Sequence, residues 1–335
     1  MPLVSMRQLL DQAAAGGYAL GAFNVANLEQ VQAVMEAAER TQSPVILQAT
    51  PGARRYANDR FLVHLVRAAT EVYPGIPVVL HLDHGNSPET CFSAIEQGFT
   101  SVMMDGSLRE DGKTPTDFDE NVAVTRTVVD HAHAVGVTVE GELGTIGGIE
   151  DGHGSGRARL TDPDEAVEFV ARTGVDALAV AIGTSHGAYK FSQPPTGALL
   201  AMDVLEQIHE RLPATHLVLH GSSSMPQALV ERINAFGGAL RPTWGVPVDE
   251  IERGIRHGVR KVNVETDARL AATGALRQFF SDRPGEIDPR TYLGAARDAM
   301  RAVYEERMTQ FGQAGHAGDV EPRSLAEMAA LYARS

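Results

Sequence analysis

Residues 78–85 read VVLHLDHG, an apolar run that ends on a histidine beside a glycine. The same context returns at 177–187 (ALAVAIGTSHG) and at 217–221 (LVLHG). His84, His186 and His220 lie too far apart in the chain for a local motif to gather them. A parallel barrel can, because each of its strands delivers its last residues to one rim. Taken singly, each histidine also fits a strand-end residue bonded to backbone. The repeated strand–histidine–glycine context favours a shared metal. Three imidazoles leave a fourth coordination position open, as in catalytic zinc sites.

Outward from these stretches the chain alternates short apolar strands with helical patterns. Candidate strands are Ala19–Val25, Pro44–Thr50, Pro77–Asp83, Ser101–Asp105, Thr138–Gly144, Ala177–Gly183, Leu217–Gly221 and Arg260–Val264. Helical stretches between them include Leu28–Arg40, Phe61–Val72, Asp119–Ala134, Pro163–Thr173, Thr196–Arg211 and Pro226–Phe236. Near-continuous apolar strands are expected where helices cover a parallel sheet. The reading is an α/β fold, a (β/α)8 TIM barrel over about residues 19–282, in a single domain spanning the chain. A helical extension follows over about residues 289–335, amphipathic at Tyr292, Ala296, Met300, Val303, Tyr304 and Met308. It packs either on the barrel or on a second subunit. A doubly wound open sheet is the alternative, but gathers the third, sixth and seventh strands less naturally.

Composition narrows the function. A hydrophobic fraction of 43% in 335 residues supplies a full core, and no long apolar run suggests a membrane span. The N-terminus lacks the basic start and apolar stretch of a signal peptide, so a cytoplasmic location is expected. The single cysteine, Cys91, excludes an internal disulfide and reads as a buried structural thiol. A net charge of −14 argues against nucleic acid or an anionic membrane as partner. It would also repel a phosphate ester, so binding one needs local N–H groups, a metal and a few placed cations.

Several carboxylates are placed for chemistry. Asp83 precedes His84 and can exchange a proton with a ligand on a metal there; its alternative is capping the next helix near Ser87. Glu140 and Glu142 share one strand face by their period-two spacing, and burying both needs a cation or a hydrogen-bond network. Glu142 and, more weakly, Asp105 are metal candidates. The stretch EDGHGSGRAR at 150–159 reads either as a mobile loop over the rim, with Glu150 an acid or base, or as a solvated connector. His153 within it reads as an exposed loop histidine.

The seventh strand ends in Gly221, Ser222 and Ser223 and the eighth in Asn263, Val264, Glu265 and Thr266, so that small residues and hydroxyls occupy the usual phosphate site of a TIM barrel. Arg269 supplies a positive charge there or a salt bridge on the helix surface. The lysines are Lys113, Lys190 and Lys261. None sits where a Schiff-base amine is needed, so metal activation is the favoured route to carbonyl chemistry.

With these residues in view, the chain resembles the class II, metal-dependent fructose-1,6-bisphosphate aldolases from about Pro2 to its C-terminus. The motifs are GAFNV (21–25), HLDHG (81–85), VEGELG with GGIEDG (139–152), GTSHGAYK (183–190), HGSSS (220–224) and KVNVETD (261–267). It is most similar to the Calvin-cycle type. The resemblance implies a lyase that interconverts fructose 1,6-bisphosphate with dihydroxyacetone phosphate and glyceraldehyde 3-phosphate, with sedoheptulose 1,7-bisphosphate a further candidate substrate. It implies catalytic Zn2+ on His84, His186 and His220, and a second divalent metal at Glu142 and Asp105. Asp83 would exchange a proton with the C4 hydroxyl, and Glu150 with the enediolate.

Further, Gly187, Gly221, Ser223, Asn263 and Thr266 would hold the dihydroxyacetone-phosphate end with a monovalent cation, K+ or Na+. Asn24 and Thr50 would lie near the substrate, and Arg269 would meet the far phosphate. A homodimer or homotetramer is expected. Two positions depart from the family: Glu265 stands where aspartate is usual, and Thr50 where serine is usual. Rival readings are a tagatose-1,6-bisphosphate aldolase of the same mechanism and a TIM-barrel zinc hydrolase. The hydrolase would bring an early paired-histidine strand, and GAFNV offers none.

Overall fold

A computed structural model describes residues 3–148, 159–196 and 199–334. Eight parallel strands close into a barrel in sequence order. They are β1 (Leu20–Asn24), β2 (Val45–Ala49), β3 (Val78–Gly85), β4 (Ser101–Met104), β5 (Thr138–Leu143), β6 (Ala177–Val180), β7 (His216–Leu219) and β8 (Val259–Val264). The seam pairs Leu20 with Lys261 and Ala22 with Asn263. Every strand residue is buried, as a sheet covered on both faces requires.

The first half of the chain carries helices α1 (Met6–Gly16), α2 (Leu28–Thr41), α3 (Pro51–Ala57), α4 (Asp59–Val72), α5 (Pro88–Gln97) and α6 (Phe118–Ala134). The second half carries α7 (Pro163–Thr173), α8 (Met202–Arg211), α9 (Gln227–Ala235), α10 (Val248–Arg256), α11 (Thr266–Asp282), α12 (Pro289–Gln310) and α13 (Leu325–Tyr332). Their starts follow local chemistry. Ser87 caps α5 through the Thr90 N–H, and Asp162 caps α7 through two N–H groups, each with proline at the first turn. Asp83 is therefore not the cap of α5.

The barrel interior is graded. Leu20, Ala22, Ile46, Val79, Met103, Ala177, Ala179 and Val218 fill its N-terminal half, and α1 closes that end with Met6, Leu9, Leu10 and Ala13. Toward the C-terminal ends of the strands the inward residues become polar. That gradient puts the chemistry at one end. The two largest boundary differences from the sequence reading flank one loop. The sixth strand ends at Val180 and α8 begins only at Met202, because the intervening loop pairs instead with the β5–α7 connection, Ser185 bridging Gly147. The extension packs on the barrel: α12 lies on α2 and α11, with Arg301 paired to Glu36, and α13 docks by stacking Tyr332 on His133.

Candidate active site

In a regular strand Asp83 and His84 would face opposite sides of the sheet. Pairing between β3 and β4 slips between Leu82 and Gly85, and His84 adopts a left-handed backbone at φ 49°. For a non-glycine residue that conformation costs roughly 1–2 kcal/mol. It turns both side chains into the barrel mouth. Asp83 accepts from Asn24 Nδ2 and Gln48 Nε2 at 3.1 Å on one oxygen and from Asn263 Nδ2 at 3.1 Å on the other. Burial opposes its charge, but the imidazoles of His84 and His220 and the Lys261 ammonium outweigh it and hold the carboxyl below its usual range. An ionised, oriented carboxylate is what a general base requires.

His84, His186 and His220 meet at this mouth, with one ligand nitrogen or more from each lying within 4.8 Å of the others. His84 Nδ1 is 3.0 Å from Asp105 Oδ2, and His220 Nε2 is 2.7 Å from Glu140 Oε1. Carboxylates holding the outer nitrogens orient metal-bound histidines in this way. A neutral imidazole that donates outward keeps only a lone pair on its other nitrogen. His84 Nε2 and His220 Nδ1 then face each other at 3.0 Å. Two lone pairs so close repel unless a proton or a metal cation lies between them. Tetrahedral zinc at its usual bond length separates ligand nitrogens by about 3.3 Å, so the spacing fits.

His186 supplies the third imidazole, its buried Nδ1 without a hydrogen-bond partner among the described residues. Burial, reinforced by His84 and His220, keeps it neutral and able to ligate. The acid groups around His84 make the same demand for positive charge. Burial lowers the His84 pKa, yet Asp83, Asp105 and Glu142 together push it up to about 10.

Asp105 and Glu142 join His84 in a second grouping able to hold a cation. Burial and the Asp105 charge push Glu142 well above the usual carboxylate range. A second cation would relieve both. Behind His220, Glu140 is fully buried, with Lys261 Nζ at 3.0 Å from Oε2. Burial alone would raise the Glu140 pKa, but the Lys261 ammonium, with His220 and His81, brings it down to about 2. Lys261 also donates to Asn263 Oδ1 at 2.8 Å. It is a buried counter-ion within the barrel, in keeping with a structural role.

The small-residue loops lie beside the histidines. Gly221 has φ 62°, and a Cβ there would come within 2.7 Å of the Ser185 backbone, so the loops after β6 and β7 touch main chain to main chain. Lys190 secures the contact by donating to the carbonyls of Ser185 and Gly221. Two carbonyls therefore occupy its amine. Ser222 is buried and bonds to the Leu219 and Asn263 carbonyls, while Ser223 lies buried one residue on. Thr50 caps α3 through the Ala53 N–H. Glu265 forms an ion pair with Arg269 one turn along α11, so the surface-pair alternative for Arg269 is present. Arg269 also lines a cavity of about 440 Å3 with Gly187, Thr266 and Arg277. Val264 ends β8 and is buried. Glu150 and His153 lie outside the described residues.

The sequence reading missed Gln48, which donates to Asn24 and Asp83, and His81, whose Nδ1 is 2.8 Å from Ser101 Oγ. Period-two spacing was the available signal: Ile46, Gln48 and Thr50 alternate along one strand, as do His81 and Asp83.

The family described as fructose-bisphosphate aldolase class-II matches residues 4–316. A fructose-bisphosphate aldolase of Xanthobacter flavus is 57% identical over 99% of this chain and 98% of its own length. One from Nostoc commune is 58% identical over 100% and 96%. Among solved structures, the YdjI aldolase of Escherichia coli K12 superposes with a TM-score of 0.74 at 29% identity, covering 94% of this chain and 100% of that one. Likeness that runs the full length of both chains, over the same barrel, places this one: it belongs to the class II fructose-bisphosphate aldolase family.

Proposed function

We propose that the chain cleaves fructose 1,6-bisphosphate to dihydroxyacetone phosphate and glyceraldehyde 3-phosphate, and condenses them in reverse, with zinc as the ion on His84, His186 and His220. Bound there, zinc supplies a Lewis acid for the charge that develops on the C2 carbonyl oxygen. Asp83 removes the C4 hydroxyl proton, held in place by the amides of Asn24, Gln48 and Asn263. The C3–C4 bond then breaks, the aldehyde leaves, and Glu150 returns a proton to C3. Gly187, Gly221, Ser223, Asn263 and Thr266 bind the phosphate of the three-carbon fragment with a monovalent cation. Arg269 meets the far phosphate. A second divalent ion rests at Asp105 and Glu142. The enzyme works in the cytoplasm as a homodimer or homotetramer; among the described residues no helix is long and apolar enough to cross a membrane.

The observation that carries this reading is the pair of ring nitrogens facing each other at 3.0 Å while carboxylates hold their outer partners. Prolonged chelation should abolish cleavage, and zinc or cobalt should restore it. Borohydride should trap no substrate on the protein. Full activity in excess chelator, or a reduced covalent adduct on a lysine, would replace metal activation with an amine mechanism.

A further inference from the structure

Asp267 is fully buried in the first turn of α11, beside the phosphate-binding loop rather than in it. Its Oδ1 accepts from the Met225 N–H at 2.9 Å and its Oδ2 from the Ser224 N–H at 3.2 Å. Arg307, on α12 of the C-terminal extension and only 2% exposed, closes on Oδ2 with Nε at 3.2 Å and Nη2 at 3.0 Å. The other side of the loop is tied as well, by the Val246 N–H to the Ser223 carbonyl at 3.2 Å. Met225 takes a left-handed backbone at φ 52°, an unfavourable conformation for a side chain of its size. A loop held on both flanks and bent against its local preference has one shape imposed on it by its surroundings.

We infer that the Asp267–Arg307 pair is a positioning device for the phosphate end of the substrate. It turns the N–H groups of Ser224 and Met225 inward and so fixes the preceding turn, Gly221–Ser223, in the orientation that meets the phosphate. The guanidinium has a second role. A buried carboxylate so close to an anion site would repel the anion, and Arg307 cancels that charge. The C-terminal extension, through Arg307 of α12, thereby contributes to phosphate affinity. The inference rests on the phosphate reading of the Gly221–Ser223 turn.

The test uses holoenzyme variants checked for thermal unfolding and metal content, with binding of dihydroxyacetone phosphate and of phosphate-free dihydroxyacetone measured by calorimetry. Arg307→Met should weaken the phosphate ester by about tenfold or more, since small misplacements of binding groups carry such factors. Dihydroxyacetone should change by less than about twofold. Arg307→Lys should restore most of the lost affinity. Adding Asp267→Asn to Arg307→Met should restore part of it, by removing the stranded charge while keeping an acceptor. If Arg307→Met fails to fold, the neutral double variant takes its place, with an expected loss of about threefold or more for the ester alone. Ser223→Asp sets a carboxylate directly at the proposed site. Loss in Ser223→Asp with wild-type affinity in the Arg307 variant, or in the double variant standing in for it, would make the pair a purely structural tie and overturn the inference. Wild-type phosphate affinity in Ser223→Asp would instead overturn the phosphate reading of the turn.

Discussion

At Asp83 three amides and two imidazoles converge on one carboxylate, so its ionised form and its direction are both fixed before substrate arrives. Removing it should separate the two proton transfers. Asp83→Ala should lose carbon–carbon cleavage by at least about 10²-fold, as for general acid–base groups, and still exchange the C3 proton of dihydroxyacetone phosphate. Glu150→Ala should lose that exchange too. Tritium release from the labelled ketose measures it, and unchanged release in Glu150→Ala would move the role to another group. Cys91 marks the opposite case. It is fully buried, and burial pushes its thiol well above the usual range, so the single cysteine is an inert part of the core. At this scale the histidines and Asp83 were legible because of their unusual context. Gln48, His81 and Lys261 were not assigned to the site, because a polar residue inside a strand shows its purpose only through its partners.

The elements add direction to these residues. The irregularity in β3 brings neighbours in sequence onto one side of the sheet, and no period-two reading of HLDHG anticipates it. Glu265 stands immediately before the first turn of α11. Glu265 reaches Arg269 across one helical turn, and a carboxylate shorter by one methylene would retract by roughly 1 Å. Glu265→Asp should loosen that pair, release Arg269 toward the far phosphate, and change the ratio of kcat/KM between fructose and sedoheptulose or tagatose bisphosphates by more than about threefold. Metal content should not change, since Glu265 lies outside the ligand set. Identical ratios across a panel of ketose bisphosphates would show that this position does not choose the sugar.

Across the whole molecule the net charge of −14 opposes an approaching bisphosphate. The Debye length falls from about 30 Å at 0.01 M salt to about 8 Å at 0.15 M, which screens the distant surface charge before the short-range contacts. We therefore expect kcat/KM for fructose 1,6-bisphosphate to rise severalfold over that range at nearly constant kcat. A steady fall with salt would mean that the mouth presents a net positive field to its surroundings.

The barrel and the three histidines were decided by the sequence, because alternating apolar runs and helical periods are local signals and a parallel barrel has one chemical rim. Asp83, Asp105, Glu142 and the loops after the seventh and eighth strands were visible for the same reason: each stands at or near the end of a recognisable strand. Only the tertiary structure decided how their charges balance. Glu140 is tolerable in the interior because Lys261 of β8 reaches it, and Asp267 because Arg307 arrives from α12. A buried charge must find its counter-charge in space, and the partners here come from elements far apart in the chain, whose proximity exists only once the barrel has closed.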